Sequence, residues 1–160
     1  MIQISIPVKA HVKKYLSVRY GIDHVFTKNS LLGVLLIHVL DKNCPKLEHS
    51  FKEFKEKYTI EISEQYFYRY GAEIPLKKRR YLAICLEKIF NEDFHLFIDI
   101  GVSEFGMSAA ESIRKFLAKY EIGENDVKYE SLYRAYQRYS NENISSKKQN
   151  KKFENSKKSA

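Results

Sequence analysis

The sequence predicts a mostly α protein of the α+β class, a helical domain with a small two-stranded antiparallel ribbon. Three observations carry this. IQISIPV at residues 2–8 sets Ile2, Ile4 and Ile6 against Gln3 and Ser5, and TIEIS at residues 59–63 sets Ile60 and Ile62 against Glu61 and Ser63. Both runs have the period of a half-buried strand, while the longer stretches carry apolar residues at helical spacing. Two lone strands leave backbone donors and acceptors unpaired, and the economical remedy is to pair them with each other and pack helices on one side.

Pro7 ends the first strand. KAHVKKYLSVRYG follows, with Val12, Tyr15, Leu16 and Tyr20 near helical spacing and Gly21 placed to stop the helix in a left-handed cap. IDHVFTKN is rich in turn residues. SLLGVLLIHVLDKN is apolar on nearly all sides and reads as a helix buried from more than one direction. Beyond the loop NCPKLEHS, FKEFKEKY reads as a short amphipathic helix leading into the second strand. LKKRRYLAICLEKIFNEDFHLFI is a long helix with Leu82, Cys85, Leu86, Ile89 and Phe90 on its inner face. Ser108 and Glu111 have capping-box spacing, so a further helix begins at Ala109 and buries Ile113, Phe116, Leu117 and Tyr120. After a turn at GEND, KYESLYRAYQRYS forms the final helix.

Two short matches link the halves of this pattern. Ile-x-Ile-Ser stands at Ile2 to Ser5 and again at Ile60 to Ser63, and Arg-Tyr-Gly ends at Gly21 and again at Gly71. The second interval is eight residues shorter, close to two helical turns. They mark either two degenerate strand-helix-helix repeats or chance matches in a chain rich in Ile, Tyr and Arg. The expected organisation is a ribbon-and-helix region over 1–91, a helical region over 92–140 packed on it, and a disordered lysine-rich tail over 141–160.

The formal net charge is +8, and from Asn141 to Ala160 six lysines stand against Glu142 and Glu154, so half of the excess lies on the tail. Such a tail has too few apolar residues to fold and suits the phosphates of a nucleic acid, an anionic surface, or solubility alone. No apolar run approaches the ~20 residues needed to span a bilayer, and the N-terminus lacks a signal peptide, so a soluble cytoplasmic protein without a membrane partner is expected. Cys44 and Cys85 have no metal-ligand spacing and read as reduced, Cys85 in the core. Asp93, His95 and Asp99 share a region of helix surface but lack a further ligand group, so no metal is expected. No Gly-rich phosphate loop, activated nucleophile or paired apolar carboxylates are evident, so neither enzymatic activity nor a cofactor is expected.

IQISIPV, VKKYL and SLLGVLLIHVL together resemble the ribbon-helix-helix family of DNA-binding proteins. That resemblance implies a ribbon in the major groove and a phosphate held at the start of the second helix. Gln3 and Ser5 would then face base edges, with Gln3 suited to adenine, and Lys28, Asn29 and Ser30 would meet phosphate. In the second copy Glu61 takes a reading position, where an acid can accept from cytosine N4. The alternative is a small sheet that only covers a helical core. EFGMSAAESIRKFL resembles a helix-turn-helix unit, with Gly106 in the turn and Ala109, Ala110, Arg114 and Lys115 exposed on the groove helix. An ordinary helix hairpin is the plainer account.

Lys77, Lys78, Arg79 and Arg80 cluster at a helix start, where the dipole disfavours cations, which suggests an anionic partner. Lys128 and Arg138 stay free on the final helix. Tyr129, Tyr133, Tyr136 and Tyr139 are too many for one buried stripe, so internal packing with a face left for a protein partner is the first reading and stacking on nucleic acid the second. The overall character is similar to that of small basic proteins of phages and mobile elements. The expected function is non-enzymatic DNA binding, regulatory or architectural, on duplex DNA rather than RNA, by a homodimer or a single-chain pseudo-dimer. The alternative is a structural or adaptor protein docking its partner through the tyrosine helix.

Overall fold

The computed structural model describes residues 1–22, 24–44 and 54–158, with side chains up to residue 143. Nine elements follow one another: β1 (Ile2–Val8), α1 (Ala10–Tyr20), β2 (His24–Val25), α2 (Leu31–Val39), β3 (Glu56–Ile62), α3 (Glu64–Tyr70), α4 (Leu76–Ser103), α5 (Ala109–Lys119) and α6 (Tyr129–Lys158). The mostly helical α+β class is as expected. β1 and β3 pair antiparallel from Ile2 opposite Ile62 to Val8 opposite Glu56.

The sheet differs from a two-stranded ribbon in one respect. β2 adds a third strand, parallel to β3, with His24 opposite Ile60 and Val25 opposite Glu61, so the sheet is mixed with the order β1-β3-β2. The turn-rich stretch after Gly21 supplies it, and Phe26 N donates to Glu61 O at 2.7 Å. Glu61 thus turns its backbone groups toward β2, and the opposing Gln3 turns its own toward the outer edge of β1, as do Ser5 and Pro7 by alternation. The N–H that proline lacks therefore falls on the edge, where no ladder bond is lost.

Ile4, Ile6, Val8, Tyr58, Ile60 and Ile62 are buried on one sheet face, against α1 and α4. Each buried aliphatic side chain contributes roughly 1.5–3 kcal/mol of transfer free energy. Tyr58 also donates its hydroxyl to Gly21 O at 2.7 Å, and burial pushes its pKa up to about 12.

The strand-helix-helix pattern occurs twice, and the geometry repeats with it. β1 and β3 have seven residues each, and one extended residue links each to its helix: Lys9 at φ −75°, ψ 156° and Ser63 at φ −71°, ψ 157°. The offset there is 54 (Lys9 to Ser63). Both helices end on Arg-Tyr-Gly, with Gly21 at φ 99° and Gly71 at φ 81°, and each glycine N–H donates four residues back, to Ser17 O and Phe67 O. The offset is now 50 (Gly21 to Gly71), because α3 has 7 residues and α1 has 11, about one turn more.

Offset 50 persists into the second helices. Leu32, Leu36 and Leu40 are buried as are Leu82, Leu86 and Phe90, and Leu31 and Val34 are exposed as are Tyr81 and Ile84. The eight-residue interval from the Ile-x-Ile-Ser matches is thus corrected to four. Those matches align residues that the strands do not superpose, since Ser5 corresponds to Thr59 and Ser63 to Lys9.

Other expectations shift as well. Glu56, Lys57 and Tyr58, assigned to a helix in FKEFKEKY, are strand, because Tyr58, Ile60 and Ile62 alternate onto the buried face; residues 51–53 of that stretch lie outside the described residues. α2 is not buried on all sides, since Leu31, Val34 and His38 are exposed. Cys85 is half-buried at the flank of α4, not in the core. α4 runs unbroken for 28 residues, so a boundary after residue 91 falls inside it. The backbone of α6 continues as helix to Lys158, past the point where the sequence predicts order to end.

α5 begins at Ala109, with Ser108 Oγ accepting from Glu111 N at 3.2 Å, as the capping box requires. It folds back along α4: a Cβ on Gly101 would overlap Ser112, and Phe116 touches Phe90, Phe94 and Phe97. This is an antiparallel hairpin, whereas a helix-turn-helix unit crosses its helices steeply. α6 then docks on α4, with Tyr136 and Tyr139 both donating to the Asp99 carboxylate, at 2.9 and 3.2 Å.

Candidate nucleic-acid interface

Among the described residues, the face of the sheet turned away from the helices is open and polar. Gln3, Ser5 and Lys57 are exposed there, and Thr59, Glu61 and Pro7 are half-buried. The register orders these side chains in three rows. Gln3 faces Glu61, Ser5 faces Thr59, and Pro7 faces Lys57. At the first row β2 adds Val25, which is exposed beside Glu61, and Gln3 Nε2 donates to Glu61 Oε1 at 3.4 Å. At the last row stands the ammonium of Lys57. Chemically, the face offers one amide, two hydroxyls, a carboxylate, a cation and a small apolar group, a set suited to base edges in a major groove.

The repeat brings the two sets of candidate phosphate ligands into correspondence. At offset 50, Lys28 corresponds to Lys78, Asn29 to Arg79 and Ser30 to Arg80. Ser30 caps α2: its Oγ accepts from Gly33 N and donates to Thr27 O, both at 3.0 Å, and Lys28 and Asn29 are exposed before it. α4 instead begins earlier, at Leu76, so Lys77, Lys78, Arg79 and Arg80 lie within the helix. Its first turn holds no acid, and Pro75 supplies no side-chain cap. Lys77, Lys78 and Arg80 are exposed; Arg79 is half-buried and donates to Ile74 O at 3.3 Å.

Other predicted residues lie elsewhere. Arg114 and Lys115 project from the hairpin of α4 and α5; Arg114 lies over the Tyr129 ring at 5.8 Å, and Lys115 is 3.2 Å from Glu111. Ala109 and Ala110 are half-buried rather than exposed. Arg138 is exposed on α6 beside Ser131, Arg134 and Gln137.

The tyrosines serve mainly in packing. Tyr136 is buried with its pKa pushed up to about 12 by burial and then by its bond to Asp99, Tyr139 stacks on His95 at 4.0 Å, and Tyr129 and Tyr133 stack on each other, half-buried. Asp99 is thus committed to tyrosines. Asp93 is likewise taken up by Tyr15 and Arg19, so the two carboxylates flanking His95 serve different contacts. No group of three metal-ligating side chains occurs among the described residues.

Polar contacts, from buried to half-exposed, tie α1 and the residue before it to the helices around them. Tyr15 is fully buried and donates to Asp93 Oδ2 at 2.6 Å, and Arg19 bonds the same carboxylate and the Tyr15 hydroxyl. Burial, and then the bond to Asp93, hold the Tyr15 phenol well above its ordinary pKa. Lys9 pairs with Glu87 at 2.5 Å and Lys14 with Asp126 at 2.6 Å. Although desolvation opposes it, the Asp126 carboxyl lies below its ordinary pKa because Lys14 and the Gly123 N–H bond its charged form. His11 packs edge-on against Phe90, and its Nδ1 has no hydrogen-bond partner among the described residues; burial lowers its pKa.

Sequence reasoning missed Lys57, Thr59 and Val25 on the open face. The signal was present for the first two, since Lys57, Tyr58, Thr59, Ile60, Glu61 and Ile62 alternate strictly; the helical reading of FKEFKEKY took up Lys57, and Thr59, inside the expected strand, was not assigned to its outer face. Among the described residues no helix is long and apolar enough to cross a membrane. No protein-family model, no curated protein and no solved structure matches the chain.

Proposed function

We propose that the protein binds duplex DNA without catalysis, as a regulatory or architectural protein. The open face of the β1–β3 ribbon enters the major groove, and cations near the starts of α2 and α4 meet the flanking phosphates. The observation that carries this reading is the repeat: two strands paired about Ser5 and Thr59, one face packed on helices, the other polar and open. A two-stranded ribbon fits the major groove; away from Ile60 and Glu61, where β2 pairs, the sheet is two strands wide, and the residue types on this face can read bases there.

The test is fluorescence anisotropy of a labelled mixed-sequence duplex and of a single strand, with the full chain, across a salt series. Duplex binding is expected, with Lys28→Ala and Lys78→Ala each reducing the slope of log affinity against log salt by about 0.9, the value for one phosphate contact. Binding that is indifferent to Gln3→Ala, Ser5→Ala and Lys57→Ala contradicts the ribbon reading. The alternative, an adaptor that docks a protein partner on α6, is supported by the opening lined by Ala109, Tyr133 and Gln137. It predicts no duplex binding at moderate salt.

A further inference from the structure

The two ends of the ribbon are related by a pseudo-twofold axis through Ser5 and Thr59, and their chemistry is unlike. The axis exchanges Gln3 with Lys57 and Glu61 with Pro7, because the strands correspond at offset 54 and pair antiparallel. One end therefore carries an amide and a carboxylate, and the other a cation and a proline. β2 increases the difference, since it widens the sheet to three strands and adds exposed Val25 only beside Glu61. The centre is nearly symmetric, with one hydroxyl from each strand.

A symmetric protein dimer matches a palindromic site because its two halves present the same groups to the two half-sites. Here one chain supplies both halves, and they present different groups. The pseudo-axis is built into a single polypeptide, so no second copy is needed to complete the ribbon. We infer that one chain reads one non-palindromic duplex site, with Gln3, Glu61 and Val25 setting one half and Lys57 the other. This rests on the proposed DNA-binding role of the ribbon. Gln3 suits adenine N6 and N7, Glu61 accepts from cytosine N4, Val25 suits a thymine methyl, and Lys57 donates to guanine O6 or N7. Ser5 and Thr59, which accept or donate alike, impose less on the central base pairs.

The test is selection from a duplex library with a 20-base-pair random core by the full-length chain, followed by the mass of the complex formed with the selected duplex. The expected consensus is asymmetric and bound by one chain. Replacing one half of it by the inverted repeat of the other lowers affinity at least about tenfold, the scale of one or more mismatched base pairs. Repeating the selection with Gln3→Ala relaxes base preference on one side of the centre only, and with Lys57→Ala on the other side only. Circular dichroism checks that both variants fold. A palindromic consensus bound by two chains, with either variant relaxing both sides, overturns the inference and leaves DNA binding by the ribbon intact. Failure to enrich any duplex overturns both.

Discussion

Ser5 and Thr59 face each other at the centre of the seven residue pairs that join β1 to β3. The repeat of strand, extended link, helix, positive-φ glycine and second helix is centred on this pair at the strands, at offset 54, and runs at offset 50 from the glycines on. On the open side Ser5 is exposed and Thr59 half-buried among the described residues. Substituting Ser5 by alanine should therefore change stability by no more than about 0.5 kcal/mol, as for ordinary surface positions. The midpoint of urea unfolding checks this, and a larger loss would mean that the face is packed in solution.

The Asp93 carboxylate accepts from a buried phenol and from a guanidinium, and it joins α1 to α4. Asp93→Ala leaves the Tyr15 hydroxyl buried without its acceptor and should cost about 1–3 kcal/mol. Adding Tyr15→Phe to that variant removes the orphaned hydroxyl and should recover part of the loss. Urea unfolding of the single and double variants measures it. Additive losses in the double variant would contradict the linkage.

Gly21 and Gly71 share a backbone conformation but not surroundings. A Cβ on Gly21 meets nothing within 4 Å, whereas one on Gly71 would lie 2.7 Å from Lys42 Cα. Gly21→Ala should cost about 1–3 kcal/mol for the positive φ alone. Gly71→Ala should cost clearly more, because the backbone at Lys42 must shift. Equal losses in thermal or urea unfolding would show that the two caps are equivalent in solution.

His11 is buried against Phe90, and desolvation lowers its pKa from the ordinary 6.5 despite nearby Glu87 and Asp126. Below pH 6.5 the unfolded chain takes up a proton that the folded chain resists. The contribution of His11 to stability is therefore full above pH 6.5 and is lost as the pH falls through the window between 6.5 and the folded pKa. Unfolding free energy measured at pH 7.5 and 5.5 should show this loss, and His11→Phe should shrink it. An unchanged pH dependence in the variant would assign the loss to other groups.

How much of this was legible depended on the strength of each local signal. The Ser108 cap and the stripe of Ile113 and Phe116 were plain, because a capping box and a 3.6-residue period reinforce each other. That β1 and β3 pair antiparallel was also legible, since unpaired strands are costly, though the register was not. β2 was not, because two residues have no period; they are held by contacts with β3 that only the fold creates.

Repeat matching found the two halves but aligned them four residues out, since Ile-x-Ile-Ser is shorter and less constrained than the strand and its cap. Lys57 was lost for that reason and because FKEFKEKY also fits a helix. The tyrosines of α6 were legible only in part. A tyrosine suits a protein interface and an internal hydrogen bond equally well, and only the position of Asp99 on α4 shows that Tyr136 and Tyr139 turn inward.

The most direct measurement is the affinity of the full-length chain for a mixed-sequence duplex at moderate salt, compared with that of the Gln3→Ala, Lys57→Ala double variant. The ribbon account predicts salt-dependent duplex binding that the double variant weakens at least about tenfold with its fold intact. Equal binding by both proteins, or none by either, contradicts it.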